Sequence, residues 1–189
     1  HDIGRPFLEQ LEALEPVVYS VPKTALPPAW VSGDHTLSEV VSGTRVEYYA
    51  SNLNPTGKGT LTIAGDVTLY VDGDFSMNNQ QAINILAGGK LTIKQGDNGG
   101  NIHINGQAFA GTAKAADFQI YSASSGDIQF NGGSTVFAAV YAPQATFTNN
   151  GGNEFYGSMV ASTMKLKGTA SFHYDEDLAK LAFWMATGS

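Results

Sequence analysis

The sequence predicts an all-β solenoid, a coil of short stacked rungs with a helix covering each end. Three observations carry this. First, between residues 59 and 172 the chain repeats an apolar–polar–apolar triplet: Leu61-Thr62-Ile63, Val67-Thr68-Leu69, Ile83-Asn84-Ile85, Leu91-Thr92-Ile93, Ile102-His103-Ile104, Phe118-Gln119-Ile120, Ile128-Gln129-Phe130, Met164-Lys165-Leu166 and Ala170-Ser171-Phe172. A period of two sends the outer residues inward and the middle one outward. Second, Gly, Asn or Asp follows most triplets, and these residues accept the backbone angles of tight corners. Third, only 14% of residues are charged, against about 25% in an ordinary soluble domain, and 22 Gly help fill the difference. Short strands, frequent corners and a neutral surface fit a stack of rungs better than a two-layer fold.

The elements follow in order. Residues 5–15 read as a short amphipathic helix, with Pro6 at its first turn and Phe7, Leu8, Leu11 and Leu14 on one stripe. Pro16 ends it, and the proline-rich stretch to Trp30 is extended and wraps over the body. Residues 31–54 form an irregular β lead-in that includes Val46-Glu47-Tyr48, and Asn54-Pro55-Thr56-Gly57 is a turn. The rungs start at Gly59. With roughly 20 residues per coil the region holds about five or six coils, stacked at ~4.8 Å each. Residues 108–117, rich in Ala, interrupt the pattern as a loop or a single helical turn. Residues 175–186 read as a helix with Asp175 at its N-cap and Leu178, Leu181, Ala182 and Met185 on one stripe. The expected organisation is one structural domain: a cap and lead-in over 1–58, a solenoid body over 59–174, and a capping helix over 175–189. The helices are placed there because open solenoid ends expose bare core and unpaired strand edges.

Composition excludes several functions. The 189 residues suit one domain with a substantial core. The net charge of −7 is spread without a basic patch, so nucleic acid and anionic membranes are not expected partners. The absence of cysteine removes disulfides, thiolate metal sites and a Cys nucleophile. No apolar run reaches the ~20 residues of a membrane span. The chain begins at His1, and an upstream signal or anchor segment is expected, so that any membrane attachment lies outside this sequence.

The stretch from residue 132 to 178 is the most distinctive. It runs Gly-Gly-Ser-Thr-Val-Phe-Ala-Ala-Val-Tyr-Ala-Pro, then Glu-Phe-Tyr-Gly-Ser-Met-Val-Ala, then Ser-Phe-His-Tyr-Asp-Glu-Asp-Leu. It resembles the C-terminal signature of bacterial exported β-helix domains found in PilX-type pilus assembly proteins, mannose-sensitive haemagglutinin pilus biogenesis proteins and polymer-forming surface proteins. The positions that carry the resemblance are Tyr141, Ala142 and Pro143, then Tyr156 and Gly157, then His173, Tyr174, Asp175 and Glu176. The resemblance implies a right-handed parallel β-helix on an exported, envelope-associated protein, and it implies no catalytic residues. Read from their own chemistry, these are structural positions. Pro143 occupies an outer corner that needs no ladder donor, Gly157 permits a bend, and His173 with Tyr174 ties the last rung to the following helix.

Asp72 and Asp74, with Asp66 a corner away, are a candidate carboxylate pair for polysaccharide cleavage; turn carboxylates capping backbone amides is the preferred reading. Asp72, Asp74 and the Gly96-Asp97-Asn98-Gly99 turn are also candidate calcium ligands, but neither run matches a calcium-loop motif. His1, His35, His103 and His173 show no metal-ligand spacing, and His103 is expected to be solvated. The outward Thr62, Thr68, Thr92, Gln119, Gln129, Thr146 and Ser171 could form a neutral hydroxyl and amide wall, broken by Tyr70, His103 and Lys165. The expectation is a non-enzymatic structural or adhesive module of a bacterial surface or type IV pilus assembly, exported, without cofactor or metal. Its expected partners are other pilus or envelope proteins or a surface polysaccharide. The alternatives are an ice- or glycan-binding β-helix and a polysaccharide-active enzyme.

Overall fold

Alternating side chains in short segments build a parallel β-solenoid of about six turns. The structure is a computed structural model that describes residues 24–25, 33–78, 80–105, 109–110, 113–133 and 135–175. Both expected capping helices lie outside these residues, apart from Asp175. Among the described residues the helical structure is one 3-10 turn, Ala115–Asp117, inside the stretch expected to hold a loop or a helical turn.

Each early coil contributes three strands, one to each of three columns. Column one stacks His35–Ser38, Gly59–Ala64, Gln81–Ile85 and Phe109–Ala110. Column two stacks Thr24–Ala25, Tyr48–Ala50, Asp66–Val71, Lys90–Gln95 and Phe118–Ser122. Column three stacks Phe75–Met77, Ile102–Asn105 and Asp127–Gly132, with Leu53 bridged to Phe75 below them. The last two coils run nearly unbroken, as Thr135–Gly151 and Glu154–Gly168, and Ser171–Tyr174 starts one more turn. The coils also tighten toward the C-terminus, from partners such as Leu91 and Phe118 to partners such as Phe155 and Phe172.

The ladder starts below Gly59. His35 pairs with Leu61 and Thr24 with Tyr48, all in parallel register, so the lead-in is itself coiled. Its signal is faint because a two-strand hairpin, Val40–Val41 with Thr44–Arg45, interrupts it, turning through Ser42 and Gly43 at positive φ. The Asn54-to-Gly57 turn is a corner between coils. Pro55 is buried there and its carbonyl accepts from the Gln81 amide, which also donates to the Gly57 carbonyl at 2.9 Å.

The inward triplet residues form the core. Leu61, Ile63, Val67, Leu69, Leu91, Ile93, Ile102, Ile120 and their counterparts above and below are buried in one continuous column. Large rings fill its C-terminal half: Phe130, Phe147 and Phe155 meet with centroids 5.5 to 5.9 Å apart, and Phe172 stacks on Phe155 at 5.2 Å. The triplet Met164-Lys165-Leu166 departs from the pattern of a buried rung. Met164 and Leu166 occupy core positions above Phe147 and Asn149, yet are 43% and 48% exposed, because no described strand pairs above 163–168.

Corners are held by a side-chain ladder that climbs one coil per step. Asn52 Oδ1 accepts from the Asp74 amide at 2.8 Å, Asp74 Oδ1 from the Asn101 amide at 2.8 Å, and Asn101 Oδ1 from the Asp127 amide at 2.9 Å. This is why Asn and Asp punctuate the sequence: their short acceptors reach the amide that a corner leaves unpaired. Gly65 turns another corner at φ +99°, where a side chain would be strained. Gly157 is required for a different reason from the bend expected of it. It sits inside a strand, and a methyl there would be driven into the Ala138 carbonyl oxygen of the coil below. Pro143 lies exposed where the register of the fifth and sixth coils slips between Ala142 and Thr146, so its missing donor costs nothing.

Two expectations follow. Gly157→Ala should destabilise the protein by roughly 2 kcal/mol or more, as overpacking against backbone, and a wild-type urea midpoint would refute the close approach. Asn101→Ala should cost about 1 kcal/mol through the lost acceptor, while Asn101→Asp stays near wild type; chemical unfolding followed by circular dichroism separates the two.

Candidate ligand-binding face

Parallel register turns the outward residues of column two into straight rows along the coil axis. One row is Tyr49, Tyr70, Lys94, Tyr121, Tyr141 and Val160. The next row, two residues earlier, is Thr68, Thr92, Gln119, Ala139 and Ser158. A third, two residues earlier again, ends in Phe137, Tyr156 and His173.

The tyrosine row is packed along its own length. Lys94 Nζ lies 5.4 Å from the Tyr70 ring centroid, a cation–π contact, and Tyr70 is only 7% exposed. The Tyr121 and Tyr141 rings are tilted against each other at 6.5 Å and half-buried. Tyr49 donates to Asp72 Oδ2 at 2.6 Å, and Tyr121 to Gln119 Oε1 at 3.3 Å. In the third row Tyr156 is stacked between Phe137, at 5.1 Å, and His173, at 4.4 Å.

Tyr70 and Tyr121 are held protonated. Burial pushes the Tyr121 phenol above the ordinary tyrosine value of 10.0. Burial also raises Tyr70, helped by the negative charge of Glu47 and by the hydrogen bond it makes to that carboxylate. Both phenols therefore remain hydrogen-bond donors through neutral and mildly alkaline conditions.

The residues singled out from sequence fall in different places. The expected hydroxyl and amide wall does not lie in one plane. Thr62 is on column one, Thr68, Thr92 and Gln119 share a row on column two, and Gln129 is on column three between His103 and Thr148. Thr146 and Ser171 sit in rows of their own, opposite Asp127 and Glu154. His103 is half-buried, with Nε2 enclosed and without a hydrogen-bond partner, which corrects the expectation that it is solvated.

The carboxylates are occupied structurally. Asp74 caps the Asn101 amide and Asp72 accepts from Tyr49. The Gly96-to-Gly99 turn closes on its own backbone, Gly99 N–H to Gly96 O at 2.9 Å. Among the described residues no three His, Asp or Glu side chains gather as a metal site. Of the signature positions, Tyr141, Tyr156 and His173 are the ring contacts above, and Ser171 Oγ lies 3.2 Å from His173 Nε2. The Asp175 amide donates to the Gly157 carbonyl at 3.0 Å, whereas Tyr174 is 58% exposed, so His173 and the Asp175 backbone secure the last rung.

Away from these rows lies a shallow groove of about 550 Å³ lined by Thr56, Asn78, Gln80, Asn105, Asn131 and Gly132, none of them charged. Asn131 Nδ2 donates to Asn105 Oδ1 at 2.7 Å across one coil step.

Titration gives a direct check on the tyrosine row. Because the folded state keeps phenol protons that the unfolded chain releases near pH 10, the unfolded state binds fewer protons above that point. Stability contributed by these phenols is full below about pH 10 and falls as pH rises further. Tyr70→Phe and Tyr121→Phe should flatten the alkaline fall in urea midpoint; an unchanged pH profile in both variants would refute the burial assigned to them.

Neither the curated proteins nor the solved structures supply a match to this chain. Family membership comes from residues 26–181, which take in the whole described coil from His35 onward. On that match the chain belongs to the family described as a domain of unknown function, DUF7305.

Proposed function

We propose that this protein is a non-enzymatic structural and adhesive module of an exported bacterial surface assembly, of the type IV pilus-associated kind that its C-terminal signature resembles. The supporting observation is the uninterrupted coil-to-coil ladder, which makes a stiff rod with flat outer faces. Each coil is pinned to the next by backbone pairing, by a continuous apolar column and by the Asn and Asp corner ladder. Such a rod presents surface groups at fixed spacing, which suits a spacer or an adhesin better than it suits a catalyst that must close around a substrate. The engagement of Asp72 and Asp74 in structural hydrogen bonds favours this reading over a polysaccharide-cleaving one. The scattering of Thr62, Thr68 and Gln129 over three columns favours it over an ice-binding plane. Partners on this reading are other envelope or pilus proteins or a surface polysaccharide.

Cell fractionation and immunogold labelling of the full-length protein in its native bacterium test the proposal. Label on the outer surface, or in a sheared pilus fraction, is the expected result, and label confined to the cytoplasm would overturn it. Incubation with polymeric uronates should release no unsaturated or reducing ends; release abolished by Asp72→Ala would replace the module with an enzyme.

A further inference from the structure

The last three coils carry a feature of column two that neither the sequence nor the family assigns. On the fourth coil the outward residues are Gln119 and Tyr121; on the fifth Phe137, Ala139 and Tyr141; on the sixth Tyr156, Ser158 and Val160. Read along the axis, these make two aromatic rails with a floor of small or neutral side chains between them. One rail is Tyr121 and Tyr141, continued by Val160, and the other is Phe137, Tyr156 and His173. The rails are four residues apart along each strand, roughly 13 Å at about 3.3 Å per residue.

We infer that this trough binds an extended, uncharged polysaccharide lying parallel to the coil axis. The inference rests on the reading of the protein as an adhesive module and names the ligand of one of its faces.

Four properties of the trough select that ligand. Its walls are aromatic, and pyranose rings present C–H faces that pack on aromatic rings while their hydroxyls stay wet. The floor of Gln119, Ala139 and Ser158 is neutral and mostly of small side chains, and Ser158 offers a hydroxyl, while the Gln119 amide is held by Tyr121 and the Ala116 carbonyl. The rails and floor of the fifth and sixth coils carry no carboxylate, ammonium or guanidinium, and the charged groups at the two ends of the trough, Asp117 and Asp175, are carboxylates, so a polyanion finds no counter-ion there. The nearest cation of the tyrosine row, Lys94, lies on the third coil and is placed over Tyr70. The rise of ~4.8 Å per coil is close to one sugar ring of an extended polymer. Successive rings on a rail can therefore meet successive sugars, and a rigid backbone spends no ordering entropy to present them.

Affinity gel electrophoresis of the full chain in mannan, dextran and hydroxyethyl cellulose, with polygalacturonate as the charged comparison, tests this. The expected result is retardation by at least one neutral polymer and none by polygalacturonate. Tyr141→Ala should weaken binding about tenfold, the loss expected of one stacked ring. Ala139→Arg should abolish it by filling the floor, and because this position is half-exposed, the fold can be confirmed by an unchanged urea midpoint. Retardation by none of the neutral polymers, or retardation that survives Ala139→Arg in the folded protein, would overturn the inference. Surface labelling of the wild type reports on the module reading separately: a surface-located protein that ignores every polymer loses the trough and keeps the module.

Discussion

The structure depends on coil-to-coil register. Each strand gives its amides and carbonyls to the strand above and below, so a residue at one position meets its counterpart in the next coil. A slip of one residue would turn every inward side chain outward and break the apolar column. Register must therefore be restored at each corner, even though the coils differ in length. The Asn52, Asp74, Asn101 and Asp127 ladder does this at one corner. At a second, Gln95 Nε2 donates to the Gly73 carbonyl at 2.7 Å, and Ser122 Oγ to Gln95 Oε1 at 3.1 Å. Gln95 and Ser122 are buried, and each hydrogen bond at both corners spans one coil, so satisfying them requires the coils to be in step.

Much of the fold is visible in the chain because most triplets are intact units of that register. Leu61-Thr62-Ile63 and Ile102-His103-Ile104 each bury their outer pair and turn the middle residue out. The pattern fades where small residues replace large ones. Val136, Ala138, Val140 and Ala142 alternate perfectly in burial, yet Ala carries too little apolar contrast to mark a long strand. It fades again at the start, where Leu37 and Tyr48 are single buried anchors separated by a hairpin. Tyr48 also behaves as more than an apolar residue there, its hydroxyl donating to the Ser38 carbonyl at 2.9 Å.

The candidate site was far less legible, and the reason is geometric. Tyr49, Tyr70, Tyr121 and Tyr141 form one row only because coils of unequal length are brought into step, so their spacing in sequence has no period to detect. Phe137, Tyr156 and His173 lie closer to a period, in the part of the chain where the coils are most uniform. Tyr156 and His173 accordingly stand out in the sequence as a signature, while their stacking does not. The carboxylates mislead in the opposite way. Asp72 and Asp74 stand out by spacing, but a corner ladder places acceptors at that spacing for structural reasons.

A one-dimensional stack also determines where function and liability sit. Each coil is stabilised by two neighbours, so a terminal coil has half the contacts of an internal one. On the sixth coil this leaves Met164 and Leu166, residues of core type at core positions, open to solvent beside a strand edge at 163–168. Among the described residues no strand pairs with this edge, and the two side chains offer apolar surface, which together form a template for another strand. Ser171–Tyr174 covers only the first part of that edge, pairing through Glu154 and Phe155 to Gly157. The rows of column two do not share this weakness, because their aromatic residues are carried by strands paired on both sides through the fourth and fifth coils. A surface built there keeps its geometry even when the last turn frays, and that separates a durable outer face from an end that must be covered.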